Sequence, residues 1–505
     1  MTAFGPSFPF ANFLPTPSTR VVREPARDVP VLAECDVAVL GGGMTGVCAA
    51  TAAAREGKSV VLVEHYGFLG GMATSSMVLI WHSFYGMDRA TKVIGGLPDE
   101  LIAGLKRFDG VYNPDPAGET QHWVIDSEKC KFVCDDLVLG SGVKLLLHTS
   151  LAGVIRDGRR ITAALVENKS GRGALLAKTF IDCTGDADLI RFAQAAGIAK
   201  KDTGIAKKDT GAHNKDTGVV RASSPPLTEL GDATGACQAP SLCYRFDGVD
   251  PSRVDFGRVQ AELFKLTMDY NGGKYPPLLW GVHWPGNPTE FMAAGVRVLN
   301  INAADGLDMT RAEIEGRYQL RWFLREARKL PGWENLRLVA MGTQIGTRES
   351  HRILADHQLT TDEVLYGRPF ADAIGQGTYP IDIHNPSGPG IIFHDLDGVR
   401  REIAGDMTHT VTRWDGQPDD APKRDTLCYQ IPYRSLIPRA FDNVLVGGRC
   451  MGSTHEAAGA IRVMVNCMQT GQAAGLAAAQ GRDDVRAVEV GEMQSRLREL
   501  GMPLS

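Results

Sequence analysis

Nowhere in this 505-residue chain does an apolar run approach the length a membrane-spanning helix needs, about 18 residues, so no transmembrane segment is expected. The first twenty residues, MTAFGPSFPFANFLPTPSTR, lack both a basic leader and a continuous apolar core, which argues against a secretory signal. No excess of positive charge is present: the net charge is −5, which leaves no electrostatic footprint for nucleic acid or for an anionic membrane surface. None of the ten cysteines, at 35, 48, 130, 134, 183, 237, 243, 428, 450 and 467, forms C-x-x-C, and none joins histidines at zinc spacing. That pattern excludes a disulfide scaffold and a structural zinc site, and it fits a reduced, cytoplasmic protein whose partners are small molecules. Cys130 and Cys134 share a helix face and read as core packing. The chain is too long for one hydrophobic core, so two or three intertwined domains are expected.

What is present is a glycine fingerprint in an ordered setting. An apolar, β-branched run, Val37 to Leu40, is short enough to be a buried parallel strand. Gly41, Gly43 and Gly46 follow at G-x-G-x-x-G spacing, then an Ala-rich helix over about Thr45 to Glu56, then a second apolar run, Val60 to Val63, closed by Glu64. The three glycines serve, in order, the tight turn, close approach of backbone to a pyrophosphate, and close packing of helix on strand. The helix N-terminus offers free N–H groups and a positive dipole end to the same phosphates. Glu64, about 20 residues on, is placed for a ribose hydroxyl. Among 57 glycines the spacing alone arises by chance; strand, loop, helix, strand and acid in that order do not. This is a dinucleotide site.

A second small-residue loop, Gly70, Gly71, Met72, Ala73 and Thr74, is rich in backbone N–H groups that suit a cofactor better than a surface turn. Beyond it the pattern gives a helix near Pro98 to Phe108, an amphipathic helix from Asp126 to Leu139, and strands at Val143 to Leu147, Leu151 to Ile155, Ile161 to Glu167 and Phe180 to Cys183. The last strand ends in Thr184-Gly185-Asp186-Ala187-Asp188. IAKKDTG then repeats in tandem at 198–204 and 205–211, with AHNKDTG at 212–218; a glycine and one apolar position per repeat argue against a coiled coil and for an expanded surface loop. From Gln238 to about Tyr433 strands (Ser241 to Phe246, Phe291 to Val298), a helix (Thr310 to Lys329) and Pro-rich loops alternate without a fingerprint, as in a substrate-facing domain. A strand at Asn443 to Val446 runs into Gly447-Gly448-Arg449-Cys450, a loop STHEAAGAIR, and a helix from about Ala460 to Ala479. Its Gly471, Ala474, Gly475 and Ala478 form a small-residue face for close packing. The expected division is an arm at 1–35, a dinucleotide-binding domain at 36–196 and 434–482, the repeat loop at 197–220, a cap at 221–433 and a tail at 483–505. The Phe- and Pro-rich arm is expected to lie on the body or on a partner subunit, as in a homodimer.

Taken together, DVAVLGGGMTG with Glu64, LGGMATSS, FIDCTGDADL, GTRESHRI, YPIDIHNP, IPYRSLIP and NVLVGGRCMGSTHEAAGAIRVMVNCMQTGQAAGLAAA resemble the FAD-dependent oxidoreductases, within the glutathione-reductase-like two-domain flavoproteins. The resemblance spans about 36 to 480. It implies an α/β fold, with a Rossmann-like, three-layer ββα FAD-binding domain carrying an inserted α+β substrate or cap domain. It implies that Gly41, Gly43, Met44, Thr45 and Gly46 hold the FAD pyrophosphate, and Glu64 with His65 the adenosine ribose. Gly70, Gly71, Met72, Ala73 and Thr74 would line the flavin and its phosphates, and Ser150, Leu151 and Ala152 the adenine. Gly185 and Asp186 would close the ribityl–diphosphate region. Gly448, Arg449, Gly459, Arg462, Val463 and Met464 would set a helix N-terminus at the flavin pyrimidine. No cysteine lies between 48 and 130, so the C-x4-C of disulfide reductases is missing, and no second fingerprint marks an NADPH domain. The histidine of covalent flavoproteins is not matched by His65, so FAD is expected to be non-covalent.

A dehydrogenase needs a proton acceptor near the flavin, and histidine suits neutral pH. Four histidines are placed suggestively: His351, expected to share a helix face with Arg348; His384, just past a short strand in YPIDIHNP; His455, in the loop before the final helix; and His283, beside Trp284 in a Pro-rich loop. His455 and His384 are favoured, because loops entering the cofactor domain face the flavin. Arg348, Arg434 and Arg449 are candidate anchors for an anionic substrate, or partners of nearby acids. The expected reaction is oxidation of a small organic substrate by hydride transfer to flavin N5. Two alternatives stand beside it: a flavin monooxygenase of the hydroxybenzoate-hydroxylase type, whose G-D-A motif is here Gly448-Arg449-Cys450, and a protein whose FAD is regulatory.

Overall fold

The computed structural model describes residues 13–114, 122–199, 226–254, 262, 281–386, 388, 390–404, 408–418, 420–421 and 424–504. From residue 200 onward the IAKKDTG repeats lie outside the described residues. Five parallel strands form the frame, in the order Lys144–Leu146, Val60–Val63, Val31–Leu40, Gly171–Asp182 and Val444–Val446. The strand expected at Val37–Leu40 begins at Val31. Its first half is largely solvent-facing and carries polar residues, so no apolar run announces it. Gly171–Asp182 is longer than expected for a related reason. One edge pairs with Val31–Leu40 from Ala174 to Asp182; on the other edge its C-terminal end pairs with Val444–Val446 and its N-terminal end, antiparallel, with Arg160–Asn168, which pairs in turn with Ser150–Asp157. One strand therefore joins the parallel sheet to the antiparallel meander, giving the Rossmann-like α/β frame.

Helices Met44–Arg55 and Met464–Ala479 lie on this sheet and on each other. Their contact is backbone to backbone. A Cβ on Gly471 would sit 2.2 Å from the Thr45 carbonyl oxygen, and one on Gly475 2.3 Å from that of Ala49. The glycine and alanine face read from the sequence is what permits this approach. Ser127–Gly140, capped by the Asp126 carboxylate accepting from the Glu128 and Lys129 N–H groups, buries Cys130 and Cys134 in the same core.

The middle segment builds a four-stranded antiparallel sheet in the order Gly281–Trp284, Asn287–Ala293, Tyr244–Asp247, Arg337–Met341. Helix Gly306–Ala327 covers it through a core that includes Tyr244, Phe246, Phe323 and Trp333. A second four-stranded meander runs from Ile381–His384 through Ile391–His394 and Val399–Ile403 to His409–Arg413. Three local expectations fail. STHEAAGAIR is not a loop: Thr454 caps a helix, His455–Ile461, separated from Met464–Ala479 by Arg462 and Val463. His351 opens a strand, His351–Ile353, paired with Thr228–Leu230, so it shares no helix face with Arg348. His283 lies on a strand, not in a loop. Among the described residues no helix is long and apolar enough to cross a membrane.

The helix contact yields a direct test. Gly475→Val places branched carbons against the Ala49 carbonyl and forces the helices apart. The expected loss is about 3 kcal/mol, measured by chemical denaturation; an unchanged midpoint would show that the helices are not in backbone contact.

Candidate functional site

The glycine loop forms one end of a cavity of about 1560 Å³. Gly41 adopts φ +102°, and a Cβ there would lie 2.4 Å from the Cys183 carbonyl oxygen; a Cβ on Gly46 would lie 1.8 Å from that of Gly41. Both are packing glycines, and Gly46 does not line the cavity. Gly43 differs: its nearest neighbour would be the Gly71 Cα at 3.8 Å, so its free side faces open space. Met44 and Thr45 follow on the cavity wall, at the start of a helix whose first turn has no side-chain cap and no acid. The turn's N–H groups and dipole are thus left for a ligand.

Glu64 is buried at the edge of this loop, its Oε2 accepting from the Gly42 N–H at 2.7 Å and its Oε1 from the Tyr66 N–H at 2.9 Å. His65 Nδ1 lies 2.9 Å from Oε1. Burial works against protonation of His65, but the Glu64 carboxylate outweighs it and raises the ring's pKa. The second loop is tied to the first, with the Gly70 N–H donating to the Gly42 carbonyl at 2.9 Å. Gly70, Gly71 and Met72 line the cavity; Ala73 and Thr74 stand behind them, buried, with the Thr74 hydroxyl donating to the Leu69 carbonyl at 2.7 Å.

Ser150, Leu151, Gly185 and Asp186 reach the wall, and Ala152 does not. Gly185 takes φ +80° and receives the Arg449 Nε on its carbonyl at 2.8 Å. Asp186 accepts from Arg449 Nη2 at 2.7 Å and from the Ser350 hydroxyl. Arg449 therefore lines the cavity as a tie between two loops, and is not a free anchor. Gly448 and Gly459 are packing positions off the wall: a Cβ on Gly448 would meet the Thr45 hydroxyl oxygen at 2.4 Å, and one on Gly459 the Asp382 carbonyl at 2.8 Å. Arg462, Val463 and Met464 do line the cavity, where the second helix begins without a side-chain cap.

The opposite wall comes from the middle segment. Asp382 and His384, two apart on strand Ile381–His384, both face the cavity, as does Arg348. His384 Nε2 is 3.2 Å from Asp382 Oδ1, without hydrogen-bond alignment, and His384 Nδ1 is buried without a partner. Asp382 Oδ2 accepts from Tyr379 Oη and Arg462 Nη2, each at 3.0 Å. Burial, then the Arg348 charge, holds the His384 pKa well below the ordinary value, so its ring is neutral. Burial disfavours the Asp382 carboxylate, yet the Arg462 and Arg348 charges outweigh it and keep the group ionised.

Three of the candidate histidines are not on this wall: His283, on strand Gly281–Trp284, His455 and His351. His455 Nδ1 lies 2.7 Å from Glu349 Oε1 in a buried cluster that also holds Arg352, away from the cavity. As the first residue of a helix it packs inward to this acid instead of facing the ligand space. His351 Nδ1 bonds the Thr228 hydroxyl at 3.0 Å, and burial brings its pKa down to about 4. Arg434 pairs with Asp372 at 2.9 Å on an exposed face. Arg297, Asp382 and Tyr379 were not singled out from the sequence. Their signal was there: a lone arginine inside the apolar stretch FMAAGVRVL, and acid and histidine at strand spacing in YPIDIH.

A search of the curated proteins finds no match. Among solved structures, a geranylgeranyl bacteriochlorophyll reductase-like protein from Thermoplasma acidophilum aligns at 13% identity and TM-score 0.43, over 92% of this chain and 84% of that one. A flavin-dependent brominase aligns at 12% identity and TM-score 0.38, over 92% and 83%. A p-nitrophenol 4-monooxygenase from Pseudomonas putida aligns at 13% identity and TM-score 0.36, over 65% and 71%. The family model described as FAD dependent oxidoreductase matches residues 36–497. With that match over most of its length, the chain belongs to the FAD-dependent oxidoreductase family, and its cofactor is FAD.

Proposed function

We propose that this chain binds FAD non-covalently along the cavity and oxidises a small organic substrate at the Asp382–His384 wall. One observation carries the reading: a single cavity runs from the glycine loop to that wall. At about 1560 Å³ it exceeds an ordinary ligand pocket of roughly 300–1,000 Å³, as a cofactor plus substrate would require. The residues fit the cofactor. Two uncapped helix ends open into the cavity, and Gly43 presents bare backbone to it. Gly41 to Thr45 would hold the pyrophosphate, Glu64 the ribose, Leu151 the adenine side, and Arg462 to Met464 the flavin end. Residues 36–196 with 434–482 serve the cofactor in this reading, and 221–433 serve the substrate.

Bound FAD supplies the two-electron acceptor for a substrate C–H bond. The chain's own contribution is proton handling and orientation. Neutral His384 has a buried Nδ1 free to take a proton, while ionised Asp382, 3.2 Å from Nε2, would stabilise the charged form of the ring. Tyr379 and Arg462 hold Asp382 in turn. All ten cysteines are unbridged, which suits a cytoplasmic location.

The anaerobic test is a screen of alcohols, amines and acids for flavin bleaching; bleaching by none of them would contradict the proposal. His384→Gln should slow bleaching by the responding substrate about 100-fold with flavin content unchanged, and an equal rate would remove His384 from the reaction. Gly43→Val has room for its side chain and an ordinary φ of −67°, so stability should change by less than about 1 kcal/mol while bound flavin is lost. Retention of flavin would displace the pyrophosphate from this loop. Acid stability gives a further check. Burial brings the His82 pKa down to about 3 and the His351 pKa down to about 4, both below the unfolded value of about 6.5. The unfolded chain therefore binds more protons, and stability should fall as pH drops below about 6.5; a melting temperature flat from neutrality to pH about 4.5 would refute the neutral assignment.

A further inference from the structure

We propose that the wall formed by Arg297, Arg348 and Arg462 binds the carboxylate of an anionic substrate, so that the substrate is a small organic acid. The inference rests on the oxidoreductase reading of this cavity and names the substrate class for it.

Arg297 carries the argument. It lies in the segment between strand Asn287–Ala293 and helix Gly306–Ala327, and its backbone is pinned on both sides by one buried amide. Gln319 Oε1 accepts from the Arg297 N–H at 3.2 Å, and Gln319 Nε2 donates to the Arg297 carbonyl at 2.7 Å. The residue is 5% exposed, and it lines the cavity. No hydrogen bond or ion pair reaches its guanidinium from the described residues. A permanently charged, planar donor set is thus buried without a counter-ion, an arrangement that is unfavourable unless an anion completes it.

Its neighbours deepen the imbalance. Arg348 Nη1 donates to the Ala239 carbonyl at 2.6 Å and the Ser241 hydroxyl at 2.8 Å, both neutral acceptors. Arg462 is paired with Asp382, yet its Nε is buried without a partner. Three guanidiniums against one carboxylate leave two positive charges on a buried wall. Burial, then mutual repulsion, lowers the pKa of Arg297 to about 9 and that of Arg348 to about 10. The Arg297 fork on the cavity wall matches a carboxylate, which accepts two parallel N–H bonds from one guanidinium, and Arg348 adds positive charge beside it. An anion there would also offset the Arg348 charge that suppresses His384, making the ring a better proton acceptor when the substrate is in place.

The test is calorimetric titration of the flavin-loaded protein with short carboxylic acids, their neutral amides, and inorganic phosphate. An acid should bind at least ten-fold tighter than its amide. Arg297→Met should remove most of that preference, with amide affinity and flavin content unchanged, and Arg297→Lys should restore part of it. Equal binding of acid and amide, or an unaltered preference in Arg297→Met, would overturn the proposal. Phosphate binding tighter than every carboxylate would overturn the assignment to organic acids. Flavin content is read separately from the released cofactor. Protein without flavin that still prefers acids over amides would sustain the anion site while contradicting the cofactor reading.

Discussion

The backbone contact between helices Met44–Arg55 and Met464–Ala479 is the constraint on which the rest depends. These helices come from opposite ends of the chain, and glycines at 471 and 475 let the second rest on carbonyls of the first. Both begin without a side-chain cap, and both beginnings open into the same cavity. Close packing therefore does more than bury surface: it brings two uncapped helix starts to one cavity. The long strand Gly171–Asp182 supports the arrangement by binding the N-terminal and C-terminal strands on its two edges.

From that frame the division of labour follows. The glycine-loop end of the cavity is built mainly from backbone, with glycines such as 41 and 46 where a Cβ would collide. The far wall is built from charge: Asp382, His384 and Arg297, all buried, with Arg348 and Arg462 half-buried beside them. A buried carboxylate held ionised by its neighbours and a buried histidine held neutral are pushed apart in proton affinity.

Much of this was legible in the sequence, and the reasons are physical. The first strand–loop–helix–strand is local, so its glycine spacing and its acid report directly on geometry. The C-terminal glycine face was equally readable, because helix periodicity fixes which residues share a side. The histidines were not. His455 starts a helix that begins earlier than its pattern suggests, and a long-range contact with Glu349 turns it away. His351 lies on a short strand whose partner, Thr228–Leu230, is far away in sequence. Arg297 reaches the cavity only because Gln319, on a following helix, pins its backbone. Such placements are decided by tertiary contacts, and no local period encodes them.

The central claim is that one FAD occupies this cavity, and the most direct measurement is the identity and amount of flavin released when the purified protein is denatured in acid. The account predicts FAD in a one-to-one ratio with the chain, freed without proteolysis. A colourless protein that takes up no FAD on reconstitution would contradict it.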